Sequence, residues 1–255
     1  MSSLPVSSLI LGIGASFGLL WIMATVPAAQ RVYWLLAGLL TLLGALIGSR
    51  AGYVLEHLAY FSSHPDEMAQ FWLGGLTWEG AVAGAILVQP AIVKLFQWPF
   101  HLVLDAISRF LLPLSIAGWI DCWMVGLGYG IVLDKGMWWG LAMSDEAGVV
   151  SLRNPVQPLA ILSLLVFLGV LELWLSHTEK PGLRGFSTLL IFGADMLLFS
   201  FLRADPSPSW LGLRIETWSA IVYTLVGILG TIGFFFEINK AWVFRRPVHA
   251  ESKTL

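Results

Sequence analysis

The sequence predicts an all-α fold, a polytopic membrane helix bundle of about seven transmembrane helices. Three observations carry this. The chain is 57% hydrophobic and only 12% charged, where soluble domains are roughly one quarter charged, and its mean hydropathy is +0.80. A water-soluble fold of 255 residues has no means of hiding that much apolar surface. Apolar runs long enough to span a bilayer recur along the chain, and a lipid-embedded segment must satisfy its own backbone, so these runs are helices.

The runs fall at about 7–28, 32–55, 73–96, 102–130, 157–176, 185–202 and 216–238. The first follows Met1-Ser2-Ser3-Leu4-Pro5, which has neither a basic stretch nor a small-residue cleavage site and does not read as a removable signal peptide. The second carries Arg50 near its end, among Gly48, Ser49, Ala51 and Gly52. In the third, Gly75, Gly80 and Gly84 predict tight packing or an irregular, re-entrant start. The fourth is long enough to tilt or break, with Pro113, Gly118, Gly126, Gly128 and Gly130 as places to bend. Met196 in the sixth is expected to face lipid or fill the core. Polar connectors separate the runs, and the one at 134–155 is long and rich in Trp and Met, as functional arms or lids often are. The expectation is one integral membrane domain over residues 1–255, without a soluble domain or internal repeat.

Basic residues orient the bundle. Arg31, Lys94, Lys180, Arg184, Lys240, Arg245, Arg246 and Lys253 fall in alternate connectors or the C-terminal tail. The positive-inside rule makes that side cytoplasmic and, with seven spans, puts the N-terminus outside. Trp72, Trp138, Trp139, Trp210 and Trp242 near span ends fit interfacial belts. A net charge of −2 does not indicate a nucleic-acid partner. The single Cys122 excludes an intrachain disulfide. There is no phosphate-binding loop, dinucleotide fingerprint, nucleophile elbow or His/Cys metal spacing, so neither cofactor nor metal is expected.

Function therefore rests on charged groups inside apolar sequence, which are costly at bilayer depth and mark functional sites. Arg50 reads either as a side chain snorkelling to the interface or as a cation for a lipid phosphate, onto which a guanidinium forks. Glu79 reads either as a structural partner of Arg50 or Arg109, or as a general base in a dry site. Asp105 and Arg109 lie four apart on one helix face and are expected to pair. Asp121, among Trp119, Cys122 and Trp123, and Asp195 in the sixth run should be protonated or paired. Cys122 reads as a small buried hydrophobe. Arg203, before Asp205-Pro206, reads either as an anchor at a helix stop or as a second phosphate cation.

The order and spacing of these residues resemble the prolipoprotein diacylglyceryl transferase family. Its Gly-Arg-x-Gly-Tyr pattern is similar to Ser49-Arg50-Ala51-Gly52-Tyr53, and its Gly-Gly-x-x-x-His-Gly to Gly74-Gly75-Leu76-Thr77-Trp78-Glu79-Gly80. An aspartate follows at Asp105, and the signature Gly-Arg-Ile-Gly-Asn-Phe-Ile-Asn-Gly-Glu-Leu-Trp-Gly aligns without gaps on Gly118 to Gly130. Arg-His-Pro-Ser-Gln is similar to Arg153-Asn154-Pro155-Val156-Gln157, and Phe-Arg-x-Pro-Asp to Leu202-Arg203-Ala204-Asp205-Pro206. Arg50, Asp105, Gly118, Gly126, Gly130, Arg153 and Arg203 match. The signature arginine, asparagine and glutamate fall on Trp119, Cys122 and Leu127, the histidine on Glu79, and a tyrosine and an arginine of the sixth span on Phe192 and Met196.

The resemblance implies seven helices in a bacterial inner membrane and transfer of the diacylglyceryl group of phosphatidylglycerol, or a similar anionic phospholipid, to a lipobox cysteine thiol at the signal peptide of a preprolipoprotein. On that expectation Arg50 and Arg203 hold the phosphate in one cavity, and Glu79 or Asp121 accepts the thiol proton. Asp105, Gly118, Gly126, Gly130 and Arg153 form the scaffold. Two other readings stay open: a non-catalytic protein of this fold that binds lipid or a partner, and a small proton-coupled transporter using Glu79, Asp121 and Asp195.

Overall fold

In a computed structural model, residues 4–176 and 180–244 are described. Arg245, Arg246 and Lys253 of the basic tail and the Met1–Ser3 prefix lie outside them, as do the side chains of Lys240 and Trp242. The helices in chain order are α1 (Leu4–Thr25), α2 (Arg31–Glu56), the single turn α3 (Leu58–Phe61), α4 (Trp78–Leu87), α5 (Gln89–Phe96), α6 (Phe100–Ile107), α7 (Leu111–Val125), α8 (Val156–Ser176), α9 (Leu183–Ser200) and α10 (Ile215–Phe244). Short antiparallel strands β1 (Leu141–Ser144) and β2 (Val150–Arg153) lie between α7 and α8, and β3 (Ser209–Trp210) and β4 (Leu213–Arg214) between α9 and α10.

Among the described residues seven helical segments are long and apolar enough to cross a membrane, at 6–25, 28–56, 78–96, 100–125, 156–176, 183–200 and 215–236. Large apolar side chains stay exposed along them, as in the stripe Leu9, Ile13, Phe17 and Leu20 of α1. Such continuous exposed apolar surface is what a membrane covers. The protein is a multi-pass membrane protein. Because spans alternate in direction, the segments 57–77, 126–155 and 201–214 gather at a loop-rich end, and 26–30, 97–99 and the turn before α9 at a short-loop end.

The third span starts at Trp78, five residues later than the apolar pattern suggested. Gly74 (φ 89°) and Gly75 (φ 71°) hold a turn that only glycine adopts easily. That span also breaks between Leu87 and Gln89, where Pro90 removes a backbone donor and clashes one turn back. The fourth span is broken by a 3-10 turn at Ser108–Phe110, ahead of Pro113. It ends at Val125 rather than 130, because Gly126 caps it with left-handed backbone (φ 76°) and Leu127 N–H returns to Cys122 O at 2.8 Å. The connector at 134–155 is a β-hairpin, with Leu141 opposite Arg153.

α9 packs on α10, α2 on α4, and α1 on α7. The α2–α4 crossing is a glycine contact. A Cβ on Gly48 would lie 2.7 Å from Gly84 Cα, and one on Gly84 would lie 2.9 Å from Gly48 Cα. The tight packing expected of Gly80 and Gly84 is thus a close backbone approach with Gly44 and Gly48. Two buried clusters form the core. One joins Ile22, Trp34, Ile92, Val103 and Phe110. The other joins Val82, Leu112, Trp119, Phe192, Met196 and Tyr223, so Met196 fills the core.

Candidate functional site

The two arginines expected to hold phosphate sit in different networks at the loop-rich end. Arg50, 9% exposed, donates Nε–H to Met68 O (2.8 Å), Nη1–H to Gly74 O (2.6 Å) and Gly75 O (3.2 Å), and Nη2–H to Glu67 O (2.6 Å). Phe61 and Tyr53 rings flank it. Four of its five N–H donors are thereby committed to the turn ahead of α4. A Cβ on Gly75 would lie 2.9 Å from Arg50 Nη1, so the glycine is what lets the guanidinium reach the backbone.

Arg203 belongs to the second network. It forks onto Asp205 through Nε (2.9 Å) and Nη2 (2.5 Å) and lies 3.3 Å from Glu216. Arg214 binds the same two carboxylates, at 3.2 Å from Asp205 and 2.8 Å from Glu216. Burial opposes the charge of both Arg203 and Asp205. Their mutual hydrogen bond and the neighbouring charges outweigh it, holding the guanidinium above its ordinary range and the Asp205 carboxyl below its own. Arg50 and Arg203 share no partner in these bonds. Arg50 organises the turn ahead of α4, and Arg203 is paired with two acids.

Glu79 opens α4 in its first turn and is 9% exposed. It pairs with neither Arg50 nor Arg109. Its carboxyl meets that of Glu56 at the end of α2, with Glu216 as its next acidic neighbour. Its Oε2 is buried without a hydrogen bond, and its main-chain oxygen accepts from Tyr223 Oη at 2.7 Å. Asp121 leaves Oδ1 buried and unbonded. Asp195, 2% exposed, accepts from Ser163 Oγ and has the Trp119 indole as its other polar neighbour. Cys122 packs against the core, with Arg203 and Asp121 among its charged neighbours.

The segment 126–131 is fastened from two sides. Gly130 bridges to Arg203, and Ala204 N–H reaches Tyr129 O at 2.8 Å. Gln157 Nε2 donates to Leu127 O at 2.8 Å. Arg153 lies 4.3 Å over the Tyr129 ring, donates to Gly130 O at 3.4 Å, and pairs with Asp145 at 3.0 Å. A Cβ on Gly126 would lie 2.8 Å from Asp145 O, and one on Gly130 2.8 Å from Asn154 Cβ. Gly118 differs from both, since a Cβ there would meet nothing within 4 Å.

Asp105 lies at the other end of the bundle. About 24 Å of helix rise separates it from Asp121. Arg109 donates to its main-chain oxygen at 2.7 Å, in place of the expected pairing with the carboxylate. The carboxylate instead accepts from Gly182 N–H (2.6 Å) and Gly185 N–H (2.9 Å), capping the start of α9 from a neighbouring helix. Asp105→Ala is expected to cost about 1–2 kcal/mol, as loss of a helix cap does, and Asp105→Asn less. Thermal unfolding of the purified variants checks this.

Sequence reasoning missed Glu56 and gave Glu216 no role. Glu56 sits six residues after Arg50 on the same helix, an ionisable side chain near a span end.

Fold and site together define a multi-pass helical membrane protein with a buried, acid-rich ionic centre at its loop-rich end. The sequence model of the prolipoprotein diacylglyceryl transferase family matches residues 5–233; the chain belongs to that family. It is 29% identical over 197 residues to a phosphatidylglycerol–prolipoprotein diacylglyceryl transferase of Bordetella avium, covering 74% of this chain and 72% of that protein. It is 24% identical over 235 residues to the one of Paracidovorax citrulli, covering 84% and 86%. The one of Methylobacillus flagellatus is 27% identical over 195 residues, covering 73% and 72%. The chain resembles these transferases with much of their reaction-centre pattern replaced. Trp119, Phe192 and Met196 are 4%, 2% and 9% exposed and pack in one apolar cluster.

Proposed function

We propose that this protein, as one integral membrane domain, moves the diacylglyceryl group of phosphatidylglycerol, or of a similar anionic phospholipid, to a lipobox cysteine thiol of a preprolipoprotein. It does so slowly, at the loop-rich end. The observation that carries the reading is the unbonded buried oxygen on Glu79 and on Asp121. A buried carboxyl oxygen without a partner calls for an explanation, and accepting the thiol proton is one. The sulfur then bonds to the diacylglyceryl carbon as that carbon's bond to the phosphate oxygen breaks, and glycerol phosphate leaves.

Arg203 supplies phosphate contacts through Nη1, which makes no hydrogen bond among the described residues, and Arg50 through its one remaining N–H. Asp105, Gly118, Gly126, Gly130 and Arg153 serve as scaffold, Asp105 from the far end and Gly118 by leaving space. Where the family pattern has arginines, Trp119 and Met196 donate no charge-assisted hydrogen bond to the departing phosphate. Losing one such donor typically slows a reaction by about a hundredfold or more.

A second reading, lipid or partner binding without turnover, is favoured by the packed apolar cluster at those positions. Donor binding survives the loss of contacts made only in the transition state. Transfer from phosphatidylglycerol to a lipobox peptide separates the two. Slow transfer that Glu79→Gln abolishes supports the first, and lipid retention with no transfer supports the second. The protein sits in a bacterial inner membrane with its N-terminus and loop-rich end outside. Reporter fusions after residue 250 are expected to report from the cytoplasm, and periplasmic signal overturns this orientation.

A further inference from the structure

The short-loop end holds a cavity of about 540 Å³ between the ends of α1 and α8, the starts of α2 and α9, and α6. That volume lies within the range of small-molecule sites. Trp34 and Leu102 give it an apolar wall, and Asp105, Arg109, Lys180 and Arg184 a polar one. The carboxylates here are already engaged. Asp105 holds Gly182 and Gly185 N–H, and Glu172, beside the cavity, holds Arg184 through both oxygens, one at 2.9 Å. Lys180 Nζ lies 4.3 Å over the Phe235 ring.

Arg109 is the anomaly. Its Nη1 donates to Asp105 O, but its Nε–H is buried with no acceptor. A guanidinium has five donors and no acceptor. Among the described residues only one protein acceptor is seen for the half-buried Arg109, and its head lines the open cavity, so oxygen ligands there would satisfy donors that the protein leaves unmet. Among the described residues, three cations against two committed carboxylates favour an anion, and guanidinium geometry suits phosphate oxygens.

We propose that this cavity is a phosphate-binding site at the opposite end from the transfer centre, occupied by a phospholipid headgroup or by soluble phosphate, with Arg109 as its principal donor and Lys180 and Arg184 completing the field. The site stands independently of the transferase reading, and its test measures binding rather than turnover.

Isothermal titration of the full chain in neutral detergent uses short-chain phosphatidylglycerol, short-chain phosphatidylcholine and inorganic phosphate as probes. The expected result is binding of phosphatidylglycerol, or of phosphate itself, that weakens about tenfold in Arg109→Gln, as loss of a hydrogen bond to a charged group does. Lys180→Gln weakens it as well, and Glu146→Gln, in the exposed hairpin at the other end, leaves it unchanged. Saturation by phosphatidylglycerol but not by phosphate assigns the site to a lipid. Equal response to phosphate alone assigns it to a soluble ligand. Should Arg109→Gln not fold, Lys180→Gln decides. No binding to the wild type, or binding that both substitutions leave untouched, overturns the proposal.

Discussion

Asp205→Ala is expected to destabilise the protein by about 3 kcal/mol, the scale of removing one partner from a buried ion pair. Asp205 is bound by Arg203 and Arg214 at once and is 6% exposed. Its loss leaves two largely buried guanidinium groups sharing Glu216 alone. The effect reaches further than the pair, because Arg203 also bridges to Gly130 and lies 6.0 Å from the Trp119 ring. Thermal unfolding in detergent reads it, and the difference from wild type is pH-dependent with a definite sign. The folded-state carboxyl titrates below its ordinary value of about 3.9. Its contribution is therefore complete above about pH 4 and is lost as pH falls through the lower folded value. Wild type and Asp205→Ala should converge in acid and differ most near neutrality. A variant as stable as wild type at pH 7 contradicts the assignment.

Gly84→Leu is expected to cost roughly 3 kcal/mol or more, at or beyond the upper end of ordinary overpacking. The obstacle is backbone, which cannot rotate away as a side chain can. Gly84 faces Gly44 and Gly48 main chain, and Gly80 faces Gly48. The crossing also sets the site. α2 carries Arg50 and Glu56, and α4 carries Glu79, so pushing the helices apart separates the two carboxyls and strips Arg50 of its turn. The expected outcome is low monodisperse yield and a depressed melting temperature. Gly118→Ala is the control. With nothing within 4 Å of its Cβ, it should be neutral or stabilise slightly, since alanine is favoured over glycine in a helix by up to about 1 kcal/mol. Equal behaviour of the two variants sinks this account of the crossing.

The spans were legible because length and apolarity suffice to mark them, and the glycines of the third span were legible as a packing surface. Their facing partners, Gly44 and Gly48, were half visible in the small residues around Arg50. What the sequence hid was pairing between distant helices. Asp105 read as the partner of Arg109 because local spacing is all that a chain displays, whereas its carboxylate reaches Gly182 and Gly185 across the bundle. Glu56 and Glu79 meet only because a glycine crossing brings their helices together. The hairpin of β1 and β2 was hidden for another reason: Leu141-Ala142-Met143-Ser144 has too little alternation to mark a strand.

The phosphate clamp illustrates the same difficulty. Arg50 and Arg203 were visible as outer-side cations, but a cation's partners decide its use. Arg50 gives four of its five N–H donors to loop carbonyls, and Arg203 pairs with two carboxylates through Nε and Nη2. That the resemblance sets Trp119, Phe192 and Met196 against polar positions of the family pattern was plain in the sequence. That Trp119, Phe192 and Met196 converge into one packed cluster was not, since they come from two different spans.

The proposed slow transfer rests on the family fold and on the apolar packing of Trp119, Phe192 and Met196. Transfer of diacylglyceryl from phosphatidylglycerol to a lipobox peptide, measured side by side for this protein and the Bordetella avium relative at equal enzyme and lipid, tests it most directly. The expected rate is lower by about a hundredfold or more, with phosphatidylglycerol still retained on purification. A rate matching the relative's would contradict it, and would mean that Glu79, Asp121 and their neighbours rebuild the missing centre.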